Sequence, residues 1–107
     1  MNINITIEEF KKWCDENKGH FLVDVREPYE IEVCSMGGNA IPMDSILSQS
    51  QQLPQHLPIV IHCNSGKRSD AVCYALRKQL ARNDIYSLTG GIQAYAAAYL
   101  PQQTCAQ

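Results

Sequence analysis

The chain predicts an α/β fold: a parallel sheet with helices on both faces, giving a three-layer α/β/α sandwich. Three runs, "FLVDV" (21–25), "IVIHC" (59–63) and "IYSLT" (85–89), are short, apolar and rich in β-branched residues, as strands buried on both faces are. The stretches between them carry helical periodicity. Strands that alternate with helices pair in parallel through crossover connections. The chain has 107 residues, 45% of them hydrophobic, and shows no internal repeat. These values predict one domain over 1–107 with one core.

The elements follow in order. "TIEEFKKWC" opens with Thr6 and Glu9 at capping-box spacing, with Phe10, Trp13 and Cys14 on one helical face and Gly19 as the expected stop. "FLVDV" is the first strand. "REPYEIEVC" reads as a turn or short helical segment, and "SMGGNAIPM" as a loop with a brief extended piece. Residues 44–58, rich in Gln, Ser and Pro, predict one short helix and a surface connection. "IVIHC" is the second strand, and "RSDAVCYALRKQLA" a helix with Val72, Ala75, Leu76 and Leu80 on one face. "IYSLT" is the third strand, "GG" a turn, and "IQAYAAAYL" a last helix before Pro101. The tail 101–107 is expected to fray.

Composition narrows the function. The start "MNINITIEEF" is not a signal peptide, and no run of the chain is long and apolar enough to span a membrane, so a cytoplasmic protein is expected. Five cysteines, Cys14, Cys34, Cys63, Cys73 and Cys105, form an odd set without a C-x-x-C pair. That set argues against a disulfide framework or a zinc ribbon and for free thiols in a reducing compartment. A net charge of -2 gives no reason to expect a nucleic-acid partner. Residues 1–32 hold eight acids against four bases, whereas 63–82 hold Lys67, Arg68, Arg77, Lys78 and Arg82 against Asp70. Arg77, Lys78 and Arg82 read as a solvated helix face.

The chemistry concentrates in "IVIHCNSGKRSDAV" (59–72). Cys63 ends a buried strand just before a helix, where unpaired amides and the helix dipole converge. Ser65 and Gly66 let the backbone curl, and Lys67 and Arg68 add positive charge beside the sulfur. Such surroundings favour a thiolate, and the same cradle binds an oxyanion. Cys63 is therefore the candidate nucleophile, with Asn64, Ser65, Gly66, Lys67, Arg68 and Ser69 around it. Asp24 ends the first strand at the same edge of the sheet, where ligands of such folds bind. His62 points to the opposite face by strand alternation and is expected to be structural or a surface residue. His20 and His56 carry no assignment, and no ligand cluster implies a metal.

Four segments together resemble the single-domain rhodaneses, which are sulfurtransferases. "FLVDVREPYE" is similar to the family's "DVRE" segment, and "AIP" to its Ile-Pro. "IVIHCNSGKRS" resembles its Cys-x-x-Gly-x-Arg-Ser loop, and "LTGGIQAY" its Gly-Gly-Ile motif, with Tyr95 where tryptophan is common. Where many relatives read "GHIPGA" this chain has "CSMGGNA", nearer to rhodanese domains attached to enzymes that activate sulfur-carrier proteins. The resemblance implies a rhodanese-like fold and a persulfide on Cys63. It implies that the loop from Asn64 to Ser69 supplies amides, that Arg68 helps bind an anionic donor, and that Asp24 and Arg26 brace the site. It also implies that no cofactor is needed. The donor would be a small anion such as thiosulfate, or a protein persulfide, and a sulfur-carrier protein or its activating enzyme is a possible partner. Cys34 is expected to pack rather than to act as a resolving thiol.

Loop length separates the alternatives. Four residues lie between Cys63 and Arg68, one fewer than in tyrosine phosphatases. The tighter cradle suits a single sulfur better than a phosphoryl group, against a phosphatase or arsenate reductase. A non-catalytic binding module is the other alternative, and the intact set of Cys63, Gly66 and Arg68 speaks against it.

Overall fold

A two-residue strand, β1 (Asn4–Ile5), leads directly into Thr6, and the side chain of Thr6 starts the first helix. Thr6 Oγ1 accepts the Glu9 N–H at 3.0 Å while Glu9 Oε1 accepts the Thr6 N–H at 2.9 Å, so two otherwise orphaned amides are satisfied reciprocally. Helix α1 (Ile7–Asp15) ends before the expected Gly19. Asn17 takes the left-handed conformation (φ 56°), and the Lys18 N–H closes onto the Trp13 carbonyl at 2.9 Å. A short polar side chain tolerates that conformation, which removes the need for glycine.

The computed structural model describes residues 3–100; the expected fraying of 101–107 lies outside them. After α1 come β2 (Phe21–Asp24), α2 (Pro28–Val33), β3 (Asn39–Ala40), α3 (Met43–Ile46) and a 3-10 turn at Ser50–Gln52. Then follow β4 (Ile59–His62), α4 (Lys67–Leu80), β5 (Ile85–Leu88) and α5 (Gly91–Tyr99). The sheet is parallel in the order β1-β5-β4-β2-β3. Its three central strands are the three apolar runs. The two edge strands are only two residues long; β3 is the brief extended piece expected after α2, and β1 carries no strand signal of its own because its neighbour β5 defines it.

Alternating side chains divide the core into two layers. Val23, Ile59, Ile61 and Ile85 pack with Val72 and Leu76 of α4, whereas Leu22, Val60 and Leu88 pack with Phe10 of α1 and Tyr95 of α5. This is the α/β/α sandwich expected from the pattern. From β2 the chain runs outward to β3, and from β4 it runs the other way to β5. The strand order therefore reverses between β2 and β4, where Asp24 and His62 pair in register. Open α/β sheets place their ligand crevice at such a reversal, beyond the carboxyl ends of the strands. No helix of the described residues is long and apolar enough to cross a membrane.

Candidate active site

Cys63 is the first residue past the paired part of β4, and alternation turns it toward the α4 layer. The chain then curls through Asn64 and Ser65 to Gly66, which adopts φ 107° and caps α4. That curl brings two amides onto the sulfur. The Gly66 N–H donates to Cys63 Sγ at 3.1 Å and the Ser69 N–H at 3.4 Å. Cys63 is 1% exposed, so these contacts act largely out of water, where electrostatic interactions are strongest. Ser69 Oγ lies 3.6 Å from Sγ, donates to the Gly66 carbonyl at 3.1 Å, and sits 2.7 Å from Ser87 Oγ of β5. Ser65 and Lys67 are exposed, and Asn64 and Arg68 are half-buried.

Helix α5 holds the loop from the other side. Its first free amides, Ile92 N–H and Gln93 N–H, donate to the carbonyls of Cys63 and Asn64 at 2.9 and 3.1 Å. Gly91 is left-handed (φ 60°), and a Cβ there would stand 2.5 Å from both carbonyl oxygens. The "GG" pair is thus more than a turn: it lets the start of α5 clasp the backbone of the cysteine loop.

Asp24 and Arg26 form a buried brace beside it. Asp24 Oδ1 accepts from Arg26 N and Nε, both at 3.0 Å, and Oδ2 accepts from Nη2 at 2.9 Å. Arg26 Nη2 also donates to the Cys34 carbonyl at 2.6 Å, tying the end of β2 to the end of α2. His62 faces the same layer as Asp24, with Nε2 3.6 Å from Asp24 Oδ2. Its ring is fully buried and its nitrogens have no hydrogen-bond partner, which excludes the surface alternative for this histidine. Burial pushes its pKa below the ordinary 6.5 and keeps the imidazole neutral at pH 7.

Arg68 has a partner far from it in sequence, on α2. Its Nη1 and Nη2 donate to Glu30 Oε1 and Oε2, both at 2.8 Å, in a bidentate pair between α4 and α2. The Arg68 hydrogen bonds, aided by the Glu27 N–H, hold the Glu30 carboxyl down at about 2. Glu30 was within sight as the last residue of "DVREPYE", but only its spatial neighbour gives it a role.

The remaining described cysteines stand apart. Cys73 is fully buried in the core, and burial pushes its thiol up to about 12, so it stays protonated. Cys14 is an exposed free thiol raised from its ordinary value, chiefly by partial desolvation. Cys34 is 4% exposed and packs near Ile92 and Ala96; it is disulfide-bonded, against the expectation of free thiols.

Comparison with known proteins supplies the family. The rhodanese-like domain family matches residues 6–98. The chain is 32% identical over 100 residues to a probable adenylyltransferase/sulfurtransferase MoeZ of Mycobacterium tuberculosis, covering 91% of this chain and 25% of that protein. It is 33% identical over 88 residues to the adenylyltransferase and sulfurtransferase MOCS3 of Drosophila virilis, covering 75% of this chain and 20% of that one. This chain therefore spans a quarter or less of the length of these relatives. Among solved structures, a rhodanese-like domain protein from Staphylococcus aureus superposes with a TM-score of 0.70 at 30% identity, covering 89% of this chain and 91% of that one. A rhodanese-related protein from Thermoplasma volcanium gives 0.74 at 27%, with 90% and 92% covered. The strand order, the cysteine loop at the sheet's reversal and these matches agree: the chain belongs to the rhodanese-like domain family.

Proposed function

We propose that this chain is a sulfurtransferase that carries a sulfur atom on Cys63 as a persulfide. The observation that supports it most is the pair of amides, Gly66 N–H and Ser69 N–H, aimed at Cys63 Sγ from the start of α4. Donors so placed can hold negative charge that develops on the reacting sulfur during transfer. The relatives' names, which include sulfurtransferase, support the same reading.

The cycle has two displacements. Cys63 thiolate attacks the outer sulfur of the donor; a new S–S bond forms, the donor's own bond to that sulfur breaks, and its electron pair leaves with the remainder. For thiosulfate the leaving group is sulfite, and for a persulfide it is a thiolate. An acceptor nucleophile then attacks the outer sulfur of the Cys63 persulfide and Cys63 departs as thiolate. Charge and electrons balance without an oxidant or a cofactor. Gly66 and Ser69 serve both halves: Cys63 Sγ, which they face, is negative before it attacks the donor and again when the acceptor displaces it. In the persulfide between these steps the charge lies on the outer sulfur. Asn64 and Ser65 shape the curl, and Lys67 adds positive charge at its rim. Asp24 and Arg26 brace the end of β2 against α2. The resemblance to rhodanese domains of activating enzymes favours a sulfur-carrier protein or its activating enzyme as acceptor.

The test is intact-protein mass spectrometry after incubation with thiosulfate or with cysteine persulfide. The wild type should gain the mass of one sulfur atom, lost again on addition of a thiol acceptor. Cys63→Ser should gain none while keeping its melting transition. Sulfur uptake by Cys63→Ser equal to that of the wild type would end the proposal.

A further inference from the structure

We propose that Glu30 is a specificity residue: its carboxylate occupies the Arg68 fork that an oxyanion donor would use, and so favours thiol persulfides over thiosulfate. The inference rests on the sulfurtransferase reading and names the donor class of that same site.

Three observations carry it. Both Arg68 Nη groups donate to Glu30, each at 2.8 Å, in the end-on bidentate geometry with which arginine also grips a sulfonate-like group. The pair is partly sheltered, with side-chain exposures of 34% for Arg68 and 20% for Glu30, so water screens it only in part. Glu30 is also fixed on its own helix: its Oε1 accepts the Glu27 N–H at 2.9 Å, which closes the N-terminal cap of α2. A dianionic donor would have to displace a carboxylate anchored at two places, or approach an arginine whose charge is already balanced. The carboxylate stays ionised down to about pH 2, so the block persists across the working range.

A thiol persulfide makes a smaller demand. Attack on its outer sulfur breaks one S–S bond and releases a thiolate bearing one negative charge. The Gly66 and Ser69 amides face the attacking Cys63 Sγ, and the charge that departs sits on a single thiolate sulfur rather than on a set of oxygens. No oxyanion needs a fork.

The experiment compares kcat/KM for thiosulfate and for cysteine persulfide in the wild type, Glu30→Gln and Glu30→Asp. Glutamine keeps the shape and an acceptor oxygen but removes the charge. Releasing a charged hydrogen-bonding fork is expected to raise the thiosulfate-to-persulfide ratio by roughly 10–100-fold in Glu30→Gln. The gain should come chiefly through a lower KM for thiosulfate, and Glu30→Asp should restore most of the wild-type preference. Urea melts establish that the variants are folded. A folded Glu30→Gln with the wild-type ratio, or one that loses both donors in parallel, would overturn the inference and leave Glu30 a structural partner of Arg68. Failure of the wild type to take sulfur from either donor would instead overturn the sulfurtransferase reading beneath it.

Discussion

Ser69 Oγ carries one proton and has three polar neighbours: the Gly66 carbonyl at 3.1 Å, Ser87 Oγ at 2.7 Å and Cys63 Sγ at 3.6 Å. With Cys63 as a thiol, S–H donates to Ser69 and the Ser69 proton goes to Gly66. Once the sulfur is negative it can only accept, and the Ser69 proton can turn toward it. In both states Ser87 completes Ser69 by donating to it. Ser87 is a polar residue in an apolar strand run, and that oddity was its only signal in "IYSLT". Ser87→Ala should lower stability by about 1 kcal/mol, the net worth of one neutral buried hydrogen bond. It should also slow sulfur loading of Cys63 by up to about tenfold, equivalent to ~1.4 kcal/mol in the barrier. Urea unfolding and single-turnover loading followed by mass spectrometry check the two effects; an unchanged loading rate would confine Ser87 to packing.

Helices position the loop through their ends. The amides at the start of α5 hold the Cys63 and Asn64 carbonyls, and the start of α4 supplies the amides facing Sγ. Gly91→Ala would bring a Cβ to 2.5 Å from the two held carbonyls in a left-handed backbone. A loss of roughly 2–4 kcal/mol is expected, because neither backbone can give way without breaking the clasp. Gly37 is also left-handed (φ 83°), but nothing lies within 4 Å of its Cβ position. Gly37→Ala should cost only the conformational strain, about 1–2 kcal/mol, and leave sulfur loading intact. Melting both variants and loading them below their transitions separates clasp from strain. Helix ends also explain the misread cations. Arg77 is buried, donates through Nε to the Ile85 carbonyl at 2.7 Å and lies 5.5 Å from the Tyr86 ring centre. Arg82 reaches the carbonyls of Pro54 and Leu57 at 2.8 and 2.9 Å. Both tie α4 and its exit to neighbouring segments rather than forming a solvated face.

The whole molecule feels acid through His62. Native His62 stays neutral because it is buried, whereas the unfolded chain takes up its proton near 6.5. Below that value the unfolded state binds more protons, so stability falls as pH falls, by at most ~1.4 kcal/mol per pH unit for one proton. The loss continues until pH reaches the lowered native pKa. Urea unfolding at about pH 7 and about pH 5.5 should show this decline in the wild type and a flatter profile in His62→Gln. Equal slopes would mean that native His62 protonates readily against Asp24, 3.6 Å away.

Features confined to one contiguous segment were legible in the sequence. Strand periodicity, the Thr6–Glu9 box and the Cys63-to-Ser69 curl each depend on residues a few positions apart, where side-chain alternation and capping chemistry decide. The family motifs marked Asp24 and Arg26 as bracing residues, and the structure adds that they bond directly to each other. What the sequence could not express was contact across the fold. Glu30 meets Arg68 from 38 residues away and Ser87 meets Ser69 from 18, while β1 exists only because β5 offers it an edge. Those meetings depend on strand order and on how helices pack over the sheet. Local propensity does not encode either, and only the closed tertiary structure brings the second charge to Arg68.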